Sequence, residues 1–261
     1  MAGTLAASAA VLTEGARAQA AASGGTQGRE FYELRRYRMQ SGPQTGLVDG
    51  FVRDALIPGL NRLGFSPVGA FCMEVGPETP TMYVLIPGRS VEALVTADQR
   101  LTEDAAFRKA AEPFWGAPAA QPPFVRYESS LMIAFAGWPK LRVPGSTATK
   151  GKRIFQLRTY ESPTDGAHGR KVEMFHKGEF EIFTKAGFFQ VFYGDVLIGD
   201  RLPKLMYMLS FVDLAELEGA WERFRNAPEW KALSGESRYA SEAIVSNIDN
   251  LYLSPTGYSQ I

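Results

Sequence analysis

The chain has 261 residues, with 28 Lys plus Arg against 28 Asp plus Glu, so its formal net charge is zero. It is 45% hydrophobic and 21% charged, proportions typical of a soluble globular protein, and no apolar run approaches the roughly 18–20 residues of a membrane helix. The absence of a basic excess argues against nucleic acid as a partner. A single cysteine, Cys72, excludes an internal disulfide and a multi-cysteine metal cluster.

Residues 1–28 differ in kind. They are rich in Ala, Gly, Ser and Thr, with a short apolar stretch from Thr4 to Leu12 and a small-x-small site at Ala18-Gln19-Ala20. This resembles the second half of a bacterial export signal without its basic start. The expectation is export to the periplasm by a Sec or twin-arginine leader truncated at its beginning. The alternative is an Ala-rich tail on a cytoplasmic protein.

In chain order, the first strand covers 31–38 ("FYELRRYR"). Leu47, Phe51, Leu56, Leu60 and Leu63 then fall near helical spacing and predict a helix over 46–63. Gly64 supplies its stop, and Pro58 is expected to kink it. Strands are predicted over 65–75 and 81–86 around the turn "GPETP". Ser90 caps a helix to about 101, a short helix covers 105–111, and a strand closes the unit over 125–135. The same order returns with a strand over 153–161, a helix over 169–186, and strands over 188–198 and 204–211. Asp213 and Glu216 form a capping arrangement for "DLAELEGAWERF", "NAPEWKAL" reads as a short helix, and a last strand lies near 243–253.

The recurrence is a tandem repeat. Leu34 and Leu157 lie 123 positions apart, as do Gly64 and Gly187, and Phe107 and Trp230. Met82 and Met206 lie 124 apart, which places one inserted residue in a hairpin. Each unit reads βαββαβ, a ferredoxin-like order. The expected fold is α+β: two units, 29–136 and 152–256, joined by the Pro/Gly/Ser/Thr-rich linker 137–151. Such a sheet has helices on one face only, so the two sheets should face each other in an intrachain α+β barrel with helices outside.

The stretches "YELRRY…LGF…AFCMEVGP…TMYVLI" and "FQLRTY…AGFFQVFYGDVLIG…LMYMLSF…AWERFRNAPEWKAL" resemble NIPSNAP domains of the dimeric α+β barrel superfamily. The similarity spans about 29–135 and 152–254, the second copy more closely than the first. The resemblance implies the barrel fold. It implies no particular reaction, because the superfamily includes cofactor-independent monooxygenases, haem enzymes and small stress-responsive proteins, and fold alone does not choose among them.

Side chains alternate across a strand. On the opening strands Tyr32 and Leu34 share one face, as Phe155 and Leu157 do in the second copy. Glu33, Arg35 and Tyr37 share the other, as do Gln156, Arg158 and Tyr160. The aromatic-plus-leucine face suits packing beneath the helices, which turns the second set into the lumen. Two guanidiniums there need partners, because a buried unpaired charge is costly. Either a ligand carboxylate, enolate or phenolate supplies one, or Glu33 or another carboxylate does so at a barrel mouth.

Only two histidines occur, His168 and His176, too few for a three-His metal site. Glu173 and His176 share a helix face, as in carboxylate-bridged metal bundles, but Arg53 stands where His176 would align in the first copy. No metal and no cofactor is expected. No Gly-rich phosphate loop opens a helix and no nucleophile elbow appears. Phe188, Phe189, Phe192, Tyr193, Tyr207 and Phe211 suit either an apolar pocket or ordinary core. Trp221 and Trp230, with Arg223 and Arg225, suit barrel-end packing or an exposed partner patch.

Two readings result. In one, an exported NIPSNAP-type protein binds a small aromatic or anionic ligand in its barrel or a protein partner on its outside, with homodimer formation open. In the other, it is a cofactor-independent monooxygenase or isomerase using Tyr, Arg and His176 of the second half. A pocket beside Arg158 and Tyr160 would favour binding or catalysis. A filled lumen would favour the structural and interaction reading.

Overall fold

A computed structural model describes residues 28–261, so the expected leader, apart from Gly28, lies outside the described residues. Eight strands form: β1 (Phe31–Arg38), β2 (Gly69–Val75), β3 (Thr81–Gly88), β4 (Arg126–Ala134), β5 (Ile154–Glu161), β6 (Phe189–Ile198), β7 (Lys204–Phe211) and β8 (Asn247–Pro255). They close into one barrel in the order β1-β3-β2-β8-β5-β7-β6-β4, with β4 returning to β1. Each half has the ferredoxin-like order, β4-β1-β3-β2 and β8-β5-β7-β6. The halves join edge to edge through antiparallel pairs, β2 on β8 and β4 on β6. A single repeat would expose two unpaired edges and one bare sheet face. Joining two covers both.

The first helix of each repeat contains a wide π turn. In the first, Pro43–Gly50 runs through π-helical Phe51–Leu56 into Ile57–Arg62. In the second, Asp165–Met174 runs through Phe175–Glu179 into Phe180–Lys185. The irregularity therefore recurs in a helix without proline, so Pro58 is not its cause. Gly178, at φ 145°, takes a backbone conformation that side-chain-bearing residues avoid. Ser90 caps its helix as expected, accepting from the Ala93 N–H at 3.2 Å, and Asp213 accepts from the Glu216 N–H at 3.0 Å. β2 starts at Gly69 rather than 65, after the Ser66-Pro67 bond, because proline disfavours regular strand pairing. Within the linker, Leu141 N–H donates to Glu30 at 2.8 Å and Arg142 lies over the buried Trp138 ring at 3.8 Å. Among the described residues no helix is long and apolar enough to cross a membrane.

Three apolar clusters result. One lies between the first sheet and its helices, one between the second sheet and its helices. The third draws on both halves, with Tyr32, Leu34, Phe71, Phe155, Leu157 and Phe192 among its members, and fills the barrel. Tyr32 meets Phe192 with ring centroids 5.2 Å apart, and Phe71 meets Phe155 at 4.8 Å, each pair crossing between repeats.

This corrects the expected orientation of the opening strands. Leu34 and Leu157 are inside the barrel. Glu33, Arg35, Tyr37, Gln156, Arg158 and Tyr160 face outward, beneath the helices: Arg35 reaches Asp98 and Arg158 lies over Trp221, both on helices. The physical reason is the supply of partners. A guanidinium turned into this apolar lumen would be buried without a counter-charge, whereas an overlying helix can offer a carboxylate or an aromatic face.

Contact across the barrel predicts energetic coupling between the repeats. Phe71→Leu and Phe155→Leu should each destabilise the protein, with the double variant departing from additivity by about 0.5–1.5 kcal/mol in urea unfolding. Strict additivity would contradict this packing.

Candidate functional site in the second repeat

Two cavities stand out. The larger, about 650 Å³, is one mouth of the barrel, with Leu34 and Met206 on its walls. Its charges are matched within the protein. Arg36 binds Glu128. Arg201 binds Glu161 at 2.6 Å and Asp249 at 2.8 Å, and Lys204 binds Asp200 at 2.5 Å.

The second cavity, a cleft of about 470 Å³, lies over the outer face of β5 and β8, beneath helices Leu214–Asn226 and Pro228–Ser234. Gln156, Arg158, Tyr160, Glu179, Trp221, Trp230, Asn250 and Tyr252 line it. Arg158 Nη2 donates to the Tyr160 hydroxyl at 2.8 Å, and its guanidinium carbon stands 4.4 Å from the Trp221 ring centroid. Its Nε is buried and finds no acceptor among the described residues. No carboxylate among them makes an ion pair with Arg158, although many other arginines have one. Tyr160 stacks on Tyr207 at 5.7 Å, and the Tyr207 hydroxyl donates to that of Tyr160 at 3.4 Å. Burial, the largest influence, pushes the Tyr207 and Tyr193 phenols well above their ordinary range, so both remain neutral hydroxyls.

The first repeat shows what the same scaffold does when sealed. Arg35 is 3% exposed. Its Nε and Nη2 bind the two oxygens of Glu33 at 2.9 and 3.0 Å, and its Nη1 binds Asp98 at 2.9 Å. The buried residues Leu94, Ala97 and Leu101 have their counterparts 123 positions later in Leu217, Ala220 and Phe224, also buried. That spacing sets Trp221 in the place of Asp98 and Gln156 in the place of Glu33. Both carboxylates that neutralise Arg35 are thus absent around Arg158. At the same spacing Val48 and Leu56, fully buried, become Lys171 and Glu179. These form a 2.8 Å ion pair whose side chains are 4% and 2% exposed.

The remaining expected residues fall elsewhere. Tyr37 packs against Phe114, Phe124 and Tyr127 under the first repeat's helices. His176 is not among the residues that line the cleft. The Gly137 N–H donates to its Nε2 at 3.0 Å, which assigns the ring proton to Nδ1, and Nδ1 donates to the Val172 carbonyl at 2.8 Å. It pins the linker to the helix. Glu173 pairs with Arg238 at 2.6 Å, apart from His176. Trp221 and Trp230 are not an exposed patch; both are partly buried and wall the cleft. Lys171, Glu179 and Asn250 were missed as site residues, although subtracting 123 from Lys171 and Glu179 would have exposed the exchange of an apolar pair for a charged one.

Comparison with known proteins places this architecture. The family model described as NIPSNAP matches residues 32–117 and 155–260. A comparison with curated proteins returns no match. A protein of Lactobacillus acidophilus described as a candidate monooxygenase is similar over 87% of this chain and 94% of its own, at 8% identity and a TM-score of 0.55. A second, from Fusobacterium nucleatum, shares 10% identity over 87% of this chain and 92% of its own, with a TM-score of 0.57. A NIPSNAP-like domain protein from Burkholderia xenovorans shares 19% identity over 41% of this chain and 88% of its own, at 0.37. At these identities the whole-chain likenesses speak for the barrel fold alone.

The buried ion pair has a measurable signature. Glu179→Ala should cost about 3–5 kcal/mol in chemical denaturation, because it strands the Lys171 ammonium. The double change Lys171→Val with Glu179→Leu, which installs the first repeat's residues, should recover most of that loss.

Alkaline pH supplies another test. Burial, opposed by Arg35, pushes the Tyr37 phenol up to about 12. Its unfolded value is near 10. Between these values the unfolded chain releases its proton first, so the contribution is complete below pH 10 and is lost as pH rises toward 12. Titration at 295 nm should show the buried tyrosines ionising only as native circular dichroism disappears. Ionisation of all ten tyrosines near pH 10 in folded protein would contradict this.

Proposed function

The chain belongs to the NIPSNAP family, and we propose that it binds a small anionic ligand in the cleft under the second repeat's helices. The observation that supports this most directly is the contrast between two equivalent arginines. Arg35 is neutralised by Glu33 and Asp98, whereas Arg158 has neither carboxylate and keeps a buried Nε without an acceptor among the described residues. A guanidinium in a partly dry cleft favours an anionic partner strongly, since its Coulomb attraction is poorly screened there. Aromatic walls favour a flat, apolar body on that anion. The barrel mouth, although larger, offers charges that already satisfy one another.

A catalytic form of this reading also has one observation behind it. Glu179, paired with Lys171, borders the same cleft. A carboxylate there is a candidate proton acceptor for a cofactor-independent oxygenase or isomerase. The neighbours described as candidate monooxygenases lend this reading their fold and nothing more.

Native mass spectrometry of protein purified from its own host tests the binding. Wild-type protein should carry a small anion, and Arg158→Gln should lose it, with affinity falling tenfold or more. Retention of the same molecule by folded Arg158→Gln would overturn the reading.

A further inference from the structure

Resting on that anion site, we infer that the ligand of the second-repeat cleft carries a planar monocarboxylate, and that Glu33 marks where it docks. In the first repeat the chain supplies its own anion. The Glu33 carboxylate lies along the Nε–Nη2 edge of Arg35, two parallel bonds of 2.9 and 3.0 Å, the geometry for which guanidinium and carboxylate are matched. Ser129 on β4 donates to the same carboxylate at 2.8 Å. In the second repeat the corresponding edge belongs to Arg158, whose Nε is the buried donor without an acceptor among the described residues.

The residue that replaces Glu33 is held away from that edge. Gln156 accepts from Trp221 Nε1 at 2.8 Å through its carbonyl oxygen, and its amide donates to Asn250 at 3.4 Å. Asn250 pairs with Arg158 in the sheet as Ser129 pairs with Arg35, so the two hold equivalent positions beside the arginine, Ser129 as a donor to Glu33 and Asn250 as an acceptor from Gln156. Trp221, in the place of Asp98, covers a face of the guanidinium and not its donor edge.

Charge fixes the valence. Lys171 and Glu179 cancel each other, and the other charged lining residues, Glu218 and Arg225, are exposed and of opposite sign, which leaves Arg158 as the buried charge to be matched by one negative charge. A phosphate dianion would bring a second charge with no buried cation to meet it. The walls, Trp221, Phe224, Trp230 and Tyr252, suit an aromatic ring. The ligand class is an aromatic monocarboxylate, and Gln156 is the residue that keeps its place free.

Titration with benzoate, phenyl phosphate and benzyl alcohol, followed by tryptophan fluorescence and calorimetry, tests this. Wild-type protein should bind benzoate and not benzyl alcohol. Gln156→Glu, which recreates the first repeat's own anion, should stay folded with an unchanged or raised melting temperature and lose benzoate affinity by at least tenfold. Undiminished benzoate binding by Gln156→Glu would overturn the docking position. Binding of phenyl phosphate but not benzoate, abolished by Arg158→Gln, would overturn the carboxylate class and leave the anion site standing. Failure of both anions to bind, with Arg158→Gln indistinguishable from wild type, would remove the anion site itself.

Discussion

The dry interior of the barrel is the constraint from which the rest follows. Two sheets close on each other only because β2 meets β8 and β4 meets β6, and closure shuts a narrow, side-chain-filled core away from water. A lumen lined by apolar side chains of both repeats offers a buried charge no partner. Tyr32, Leu34, Phe155 and Leu157 therefore turn inward, and strand alternation sends Glu33, Arg35, Gln156 and Arg158 outward to the helices.

Once the polar face lies under helices, each repeat has a separate chemical environment on an equivalent frame. The first seals it with a bidentate ion pair, a second carboxylate from Asp98, and apolar Val48 and Leu56. The second replaces these with Gln156, Trp221, Lys171 and Glu179, and a cleft remains. Buried ion pairs contribute little net stability compared with well-packed hydrophobic residues, so the exchange makes little sense as stabilisation. Duplication permits it, because the first layer and the shared lumen hold the barrel while the second layer accommodates a guanidinium with no carboxylate partner among the described residues.

Much of the fold was legible from periodicity and spacing. The 123-residue repeat, the βαββαβ order, the caps at Ser90 and Asp213 and the positions of β1 and β7 correspond to what forms. The wide π turns were not legible, since a helix keeps its apolar spacing approximately when one extra residue is accommodated. The site was half legible. Gln156, Arg158 and Tyr160 do meet in one cavity, but His176 serves the linker and Tyr37 serves the first repeat's core.

The sequence by itself determined that the chain is two copies of one unit, and that one face of each opening strand is polar while the other is apolar. These are local facts, set by residue order and by the period of a strand. Which face looks into the barrel was a tertiary decision, because both faces are covered by protein and burial alone cannot tell a helix from an opposing sheet. The same holds for "EFYELRRY" and "RIFQLRTY", nearly one strand written twice. The strand itself exchanges Glu33 for Gln156, and the helices above exchange Asp98 for Trp221, so Arg35 lies in an ion pair and Arg158 lies under an aromatic ring with no carboxylate partner among the described residues.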